Sequence, residues 1–348
     1  MSRVIVIGGG AAGMMAAAAA AGKGHSVLLL EKNEKLGKKI YITGKGRCNL
    51  TNACDVQELF DSVVSNPRFL YSAIYGFDNT AVQDFFEKRG CPLKTERGNR
   101  VFPVSDHSSD IIRTLADELE RLGVQIRLRT PVKEILTDGS AVCGVCLDSG
   151  SRLPADAVIL CTGGLSYPAT GSTGDGLRMA EQLGHTIVFC EPSLVPFTVK
   201  EEWCRMLQGL ALKNVSASLF IGKKKVYEGF GEMLFTHFGV SGPLILSASS
   251  YYRRSGGKKK RNAAERHAQA RAGEGAAVSE EAAEQNAVLH LDLKPALSEE
   301  QLDRRLLRDF EEAKNRQFGN AVNALFPARL VPVMISLSGI DPKKRVHD

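Results

Sequence analysis

The glycine pattern near the N-terminus constrains the fold more than any other feature of this 348-residue sequence. Gly8-x-Gly10-x-x-Gly13 follows the β-branched run Val4 to Ile7, which is typical of a buried parallel strand. An Ala/Met-rich stretch with helical character comes next, and Ser26 to Leu30 has the pattern of a second strand. The sequence therefore predicts a βαβ unit whose glycine loop opens a helix.

This unit predicts a dinucleotide site. The glycines permit a tight turn and close approach of the backbone to a pyrophosphate, and the helix start offers N–H groups to the phosphates. Glu31 ends the second strand, where its carboxylate can accept hydrogen bonds from the adenosine ribose hydroxyls and disfavours a 2′-phosphate. The alternative is a glycine-rich turn without a ligand.

Two further segments favour FAD over a nicotinamide cofactor. Thr43 to Asn52 is a polar, glycine-rich loop in which Lys45 and Arg47 suit phosphate, although a mobile surface loop would look similar. Ile159 to Gly164 is a strand that ends in Thr-Gly-Gly, where small residues let the backbone pass close to a cofactor. Val132 stands where the main chain would bind adenine, and a core valine is the alternative. The predicted cofactor-binding residues are Gly8, Gly10, Ala11, Ala12, Gly13, Glu31, Lys32, Lys45, Gly46, Arg47, Cys48, Asn49, Leu50, Val132, Thr162, Gly163 and Gly164.

Composition indicates an ordinary globular protein, with 43% hydrophobic and 24% charged residues. Much of the +6 net charge comes from one tract, Lys258 to Arg261, so no nucleic-acid partner is expected. No apolar run is long enough to span a bilayer, and Gly8 to Gly10 interrupt any signal-peptide pattern, so we expect a cytoplasmic protein. The eight cysteines are scattered, and the pair Cys143 and Cys146 lies in a strand-like stretch that favours packing over redox chemistry. No metal site is predicted.

Three domains are expected along the chain. Residues 1–190 are predicted to form a Rossmann-like FAD-binding domain of the α/β class. Residues 191–297 alternate in short segments that favour an antiparallel β-barrel, with a charged, flexible insertion at 253–288. Residues 298–348 carry helical apolar stripes and are predicted to be a helical subdomain.

Four segments together resemble one known family. They are Gly8 to Gly13, Thr43 to Asn52, Gly163 to Gly176 and Phe235 to Pro243. The sequence is similar to the BaiN/YhiN-like NAD(P)/FAD-dependent oxidoreductases, also named aminoacetone oxidase family FAD-binding enzymes, which include a 3-dehydro-bile acid delta(4,6)-reductase. The similarity covers nearly the whole chain outside the insertion.

The resemblance implies a fold in which a β-barrel domain, with a helical subdomain nested in it, is inserted into the FAD domain near Glu191. Family sequences continue beyond the position of Asp348 with segments that close the barrel and return to the flavin. The resemblance therefore implies a member that is truncated at the C-terminus, with a complete adenosine half and an incomplete flavin half.

The expected activity is hydride transfer from NAD(P)H through FAD to an unsaturated, enone-type small molecule such as a steroid or bile acid. An FAD-dependent amine oxidase is one alternative, and a non-catalytic flavin-binding or RNA-associated protein, or an inactive fragment, is another. No second Gly-x-Gly-x-x-Gly is present, so the electron donor stays open. Tyr167, Cys48 and His237 are candidates for a proton donor or carbonyl-polarising group, but none is assigned as catalytic, and the oligomeric state is not predicted.

Overall fold

A computed structural model describes residues 1–188, 190–252 and 287–347 of the chain. Two compact units make up the chain, Met1–Cys190 and Glu191–Asp348. Within the described ranges, no helix has both the length and the apolar character needed to cross a membrane. The insertion expected at 253–288 lies outside the described residues, apart from residues 287 and 288, which begin a strand. The division into three domains stays a prediction.

The first unit combines parallel strands, antiparallel strands and helices. Its strands are β1 (Arg3–Ile7), β2 (Ser26–Leu30), β3 (Thr51–Asn52), β4 (Leu93–Glu96), β5 (Arg100–Pro103), β6 (Gln125–Arg127), β7 (Val132–Asp138), β8 (Ala141–Leu147), β9 (Arg152–Pro154) and β10 (Ala157–Leu160). Its helices are α1 (Ala11–Gly22), α2 (Val56–Asp61), α3 (Tyr71–Gly76), α4 (Asn79–Glu87), α5 (Ser108–Arg121) and α6 (Asp175–Gln182). Short 3-10 helices occur at Ile40–Gly46, Pro67–Leu70 and Pro168–Thr170.

A parallel sheet forms the centre of this unit, with its described strands in the order β10-β1-β2-β6. β1 is buried on both faces, which explains its continuous β-branched sequence. Val4 and Val6 pack in the core that contains α1 and α5, whereas Ile5 and Ile7 pack in the core that contains β7 and β8. The sheet is therefore enclosed between a helical layer and an antiparallel layer.

The parallel order brings three predicted segments to one edge of this sheet. The segments after β1, β2 and β10 all leave from carboxyl ends, where ligands bind in sheets of this kind. Backbone hydrogen bonds continue past the strands, from Gly8 N to Leu30 O and from Cys161 N to Ile7 O, both at 2.8 Å. The glycine loop, Glu31 and the Thr-Gly-Gly segment consequently start side by side.

A small antiparallel sheet, in the order β3-β5-β4, holds the loop of residues 43–50. Leu50 N donates to Val101 O at 2.8 Å, immediately before β3 pairs with β5. The end of the loop is therefore fixed by main-chain bonds to a strand that lies about 50 residues further along the chain.

The second unit begins with an antiparallel sheet and ends in helices. Its strands are β11 (Phe197–Thr198), β12 (Ala211–Ile221), β13 (Lys224–Phe235), β14 (Gly239–Ser241) and β15 (Ala287–Asp292), in the spatial order β11-β14-β13-β12-β15. Its helices are α7 (Trp203–Met206), α8 (Pro243–Tyr251), α9 (Glu299–Glu312), α10 (Phe318–Ala321) and α11 (Val331–Ser338). A register shift between Leu212 and Val215 marks a bulge in the long β12–β13 pair. The described strands form a curled half-barrel that packs on α8.

Candidate cofactor site

The three glycines of the first loop meet different surroundings. A Cβ on Gly8, where φ is +107°, would lie 2.4 Å from the carbonyl oxygen of Cys161, and a Cβ on Gly13 would lie 1.7 Å from the carbonyl oxygen of Gly8. A Cβ on Gly10 would meet no atom within 4 Å. The first and third glycines are thus required by the close packing of α1 on the sheet, whereas the second faces open space that a ligand can enter.

The N-terminus of α1 provides donors at this open position. Gly10 caps this 12-residue helix without a side-chain hydrogen bond, and its first turn contains no acidic residue. The first N–H groups of a helix have no partner within the helix, and the helix dipole makes this end electropositive. Ala11 and Ala12 are exposed, so their N–H groups are accessible to an anion such as a diphosphate.

Glu31 lies beside this helix end with its carboxylate almost completely buried. Its Oε2 accepts a hydrogen bond from Gly9 N at 2.6 Å, while Oε1 accepts two from the main-chain N and the Nδ2 of Asn33, both at 2.7 Å. Two carboxylate oxygens offer about four acceptor positions, so Oε2 retains one for a further donor. A ribose hydroxyl suits this position, and the site therefore fits the adenosine half of FAD.

Val132 is brought close to Glu31, although the two residues are far apart in sequence. Thr130 N donates to Glu31 O, and Arg129 N donates to Asn33 O, both at 2.9 Å. β7 begins two residues later at Val132. These bonds place the start of β7 near Glu31, and the contact of Val132 with adenine stays a prediction.

The loop of residues 43–50 has an unusual backbone. Gly44, Lys45, Gly46 and Cys48 all have positive φ values, and a Cβ on Gly44 would lie 2.7 Å from Asn49 N. Cys48 N donates to Thr43 O at 3.0 Å and closes the turn. Such conformations are costly for the non-glycine residues and persist only where the surroundings hold them. Lys45 and Asn49 are exposed on this loop, where both could reach a ligand.

Arg47 anchors the loop through its guanidinium. The two terminal nitrogens contact the Glu96 carboxylate at 2.8 and 3.2 Å, one of them also contacts Asp106 at 3.1 Å, and the group lies 4.0 Å from the centre of the Phe102 ring. The hydrogen bond from Arg47 lowers the pKa of Glu96, and those from Lys94 and Arg47 lower the pKa of Asp106. A phosphate would have to compete with two carboxylates for this guanidinium. The geometry gives Arg47 a positioning role in the loop, and its predicted pairing with phosphate stays a prediction.

The Thr-Gly-Gly segment after β10 turns sharply and then folds back. A Cβ on Gly163, where φ is +75°, would lie 2.7 Å from Ser172 Oγ, whereas a Cβ on Gly164 would meet nothing within 4 Å. The hydroxyl of Thr162 accepts a hydrogen bond from Gly176 N at 3.0 Å. Thr162 and Gly163 thus shape the protein's own turn, and the exposed Gly164 leaves space for a cofactor.

Residues that the motifs did not single out hold this segment against the Glu31 region. Lys39 Nζ donates to Ser166 O at 2.8 Å, and Asn33 Nδ2 donates to Thr170 O at 3.2 Å. The predicted cofactor residue Lys32 binds Asp175 through its amino group at 2.5 Å. Asn33, Lys39 and Asp175 act across about 130 to 140 residues of sequence, and no local spacing signal identifies such contacts.

The three candidates for a proton donor differ in accessibility. Cys48 is buried in the core that contains α1 and α5, and burial raises the pKa of its thiol. Tyr167 is 66% exposed and has a positive φ of 55° beside the Thr-Gly-Gly segment. His237 belongs to the second unit, where its exposed ring packs edge-on against Phe238. Of the two candidates in the first unit, Tyr167 is thus exposed and Cys48 is buried.

Among the described residues, the cysteines and the other metal-binding side chains define no second centre. All eight cysteines are unpaired, with Cys143 exposed and Cys146 buried on the same strand. In the described parts of the chain, no three His, Cys, Asp or Glu residues are grouped so that they could hold a metal ion.

Comparisons with known families and proteins agree with this fold. The family description "HI0933-like protein Rossmann domain" matches residues 2–286, and "HI0933-like protein barrel and H2TH domain" matches residues 275–348. The ribosomal RNA dihydrouridine synthase of Escherichia coli K12 is 35% identical over 71% of this chain and 60% of its own length. The 3-dehydro-bile acid delta(4,6)-reductase of Clostridium scindens is 30% identical over 90% of this chain and 69% of its own length.

Structural similarity is lower. The 3-ketosteroid-Δ4-(5α)-dehydrogenase of Rhodococcus jostii RHA1 matches with a TM-score of 0.44 and 17% identity over 61% of this chain and 59% of that one. The chain thus spans about three fifths to two thirds of the length of the curated relatives that it matches. The predicted Rossmann-like fold with barrel and helical parts is confirmed, as is the family resemblance. This chain belongs to the HI0933-like family of FAD-dependent oxidoreductases.

Proposed function

We propose that this chain binds FAD at the edge of its parallel sheet and belongs to a reductase that uses NAD(P)H to saturate a C=C bond conjugated with a carbonyl group. The observation that carries the proposal is the open, uncapped N-terminus of α1 beside the buried carboxylate of Glu31. These two features match the diphosphate and the ribose of one ligand. They are placed side by side by β1 and β2.

The residues of the site divide the binding of FAD among themselves. The N–H groups of Ala11 and Ala12 hold the diphosphate, and Glu31 accepts a hydrogen bond from a ribose hydroxyl. The negative charge of Glu31 also repels a 2′-phosphate, which selects an adenosine without one. When bound, FAD supplies hydride-transfer chemistry at its N5 atom, which no amino-acid side chain can provide.

The substrate class comes from the names of the two relatives. Dihydrouridine differs from uridine by two hydrogens across C5 and C6, next to the C4 carbonyl, and a delta(4,6)-reductase of a 3-dehydro bile acid saturates bonds conjugated with a ring ketone. Reduction of such a bond adds a hydride to its carbon remote from the carbonyl and a proton to its nearer carbon. The enone-type substrate expected from the sequence is thus one member of a wider class that includes a uridine in RNA.

Tyr167 is the residue that we assign to proton delivery. Its phenol is exposed beside the cofactor segment, and Thr170 fixes its backbone by donating hydrogen bonds from N and Oγ1 to Tyr167 O at 2.9 and 2.7 Å. A phenol can donate a proton to the α-carbon or a hydrogen bond to the carbonyl oxygen. Tyr167 also has a positive φ, and backbone strain of this kind in a non-glycine residue occurs at functional sites.

A visible spectrum and an anaerobic titration test this function. The purified chain is saturated with FAD without oxygen. One sample is reduced by NADH or NADPH before a uridine-rich RNA or an enone steroid is added, and a second sample receives only a primary amine while its flavin is oxidised. We expect the pyridine nucleotide to bleach the flavin and an unsaturated carbonyl substrate to restore its colour. Bleaching by the amine alone would indicate an amine oxidase, and failure of both pyridine nucleotides would refute the proposed donor.

A further inference from the structure

An aromatic surface lies outside the cofactor site, on the short helices before α4. Phe69 is 79% exposed and Tyr75 is 69% exposed, while Tyr71 and Phe77 are 45% and 43% exposed. These four side chains fall within nine residues, and we call them the aromatic surface. Exposed apolar side chains that are grouped in this way are typical of interaction sites.

The tyrosines of this surface are held in place from below. The ring of Phe60, which is 6% exposed, lies 4.7 Å from the ring of Tyr71 and 5.4 Å from that of Tyr75, measured between centroids. The two tyrosine rings are 6.2 Å apart and nearly perpendicular. Because these rings are already packed on one side, little side-chain entropy is lost when a planar ligand stacks on the other side.

Positive charge accompanies the aromatic groups. Arg68 precedes Phe69, and residues 66–77 contain no Asp or Glu. The turn between β4 and β5 adds Arg97, and the first residue of β5 adds Arg100; among the described residues none of these three arginines forms an ion pair. The nearest carboxylates in sequence are engaged elsewhere: Asp78 caps α4 by accepting a hydrogen bond from Ala81 N at 2.7 Å, and Glu96 pairs with Arg47.

Hydrogen bonds connect the arginine turn to the aromatic segment through β3. Asn79, two residues after Phe77, donates from Nδ2 to the carbonyl oxygens of Asn52 and Cys54, both at 2.7 Å. Asn52 in turn donates to Gly98 O of the turn at 2.9 Å. These bonds tie the start of α4, directly after the aromatic surface, to the arginine turn, and we treat the two together as one candidate binding face.

We propose that this face binds single-stranded RNA, with unpaired bases stacked on the aromatic surface and phosphates contacting Arg68 and the arginine turn. The inference rests on the proposed function, in which a uridine in RNA is one of the substrates. Aromatic side chains stack with any base, and unpaired arginines beside them suit the phosphate backbone. A small enone needs no such face outside the cofactor site.

The test measures RNA binding directly, without turnover. Fluorescence anisotropy with a labelled single-stranded oligouridine compares the full chain with the double variant Phe69→Ala/Tyr75→Ala. We expect the double variant to bind at least about tenfold more weakly, because two stacking faces are lost. Tyr75→Phe keeps the ring and should bind like the wild type. Phe230→Ala removes an aromatic group with 59% exposure from the second unit and serves as the matched control.

Further readouts separate this proposal from the proposed function. The double variant should keep the wild-type circular dichroism, FAD content and reduction by NAD(P)H, since none of its changes lies in the cofactor site. RNA affinity that is equal in the wild type and the double variant overturns the inference. The inference is also overturned if the wild type binds no RNA. It is overturned as well if the double substitution only converts a dimer to a monomer, because this face would then be a contact between copies of the chain. If NAD(P)H does not reduce the flavin of the wild type, the proposed function is refuted, whereas the RNA-binding inference is not.

Discussion

Substitution of alanine at Gly10 and at Gly13 should have opposite consequences for stability and cofactor binding. The two positions belong to one motif and would gain the same methyl group. At Gly13 that group would lie 1.7 Å from a backbone oxygen, whereas at Gly10 it would meet no protein atom within 4 Å. Gly10 also has φ and ψ of −81° and −172°, which alanine adopts without strain. Gly13→Ala should therefore destabilise the fold, whereas Gly10→Ala should only obstruct the space proposed for the diphosphate.

The expected magnitudes follow from these distances. Overpacking of this kind costs about 1–3 kcal/mol, and for a unit of this size each kcal/mol lowers Tm by about 2–4 °C, so Gly13→Ala should lose roughly 2–12 °C. At Gly10, the poorer N-cap and the less flexible unfolded chain offset each other to within about 0.5 kcal/mol. The same methyl group should weaken FAD binding at least about tenfold, or about 1.4 kcal/mol.

Two assays on the same preparations separate these effects. Thermal unfolding without FAD reports stability, and quenching of flavin fluorescence on titration reports affinity. We expect Gly10→Ala to retain the wild-type Tm and lose affinity, and Gly13→Ala to lose Tm. Wild-type affinity in Gly10→Ala would refute the placement of the diphosphate at the helix end, and a wild-type Tm in Gly13→Ala would refute the packing of α1 on the sheet.

Three other predictions concern the rest of the first unit. Hydrogen bonds from Arg121 and Arg89 lower the pKa of Glu118 from 4.5 to about 2. The stabilisation that the Glu118 carboxylate gives the fold is therefore complete above pH 4.5 and is lost as the pH falls towards 2. In urea unfolding, Glu118→Gln should be less stable than the wild type by about 2–3 kcal/mol at pH 7, with little difference near pH 2. Arg47→Lys cannot reproduce the two-pronged contact with Glu96, so hydrogen exchange in residues 43–50 should accelerate and FAD binding should weaken several-fold, and unchanged exchange would contradict its anchoring role. Tyr167→Phe should lower kcat for the unsaturated substrate while NAD(P)H still reduces the flavin at the wild-type rate, and an unchanged kcat would remove Tyr167 from proton delivery.

The parts of the fold that the sequence predicts are those with local causes. The first βαβ unit follows from a glycine pattern between a β-branched run and an alanine-rich stretch, and all of its determinants lie within about 30 residues. The sequence did not show that alternate residues of β1 enter different cores. Ile5 and Ile7 face an antiparallel layer formed from residues after 130, and the pattern of a strand buried on both faces is the same whatever covers it.

In the candidate cofactor site, the sequence predicts the glycine loop and Glu31 at one edge of the sheet but not the contacts that support them. Arg47 is a cation in a glycine-rich loop, so phosphate binding was the natural interpretation. Its carboxylate partners, Glu96 and Asp106, lie 49 and 59 residues away and carry no motif. Asn33, which fixes the Glu31 carboxylate, resembles any turn asparagine in the sequence. Long-range side-chain pairing decides such roles, and only the folded chain displays it.

A comparison of FAD with FMN as ligands tests the account of the site most directly. The two share the flavin ring, but FMN lacks the adenosine and the diphosphate that the helix end and Glu31 are proposed to hold. Equilibrium titration followed by flavin fluorescence should give an affinity for FAD at least about a hundredfold above that for FMN, equivalent to about 2.7 kcal/mol. Equal affinities, or no binding of FAD at all, would contradict the assignment of this edge of the sheet as an FAD site.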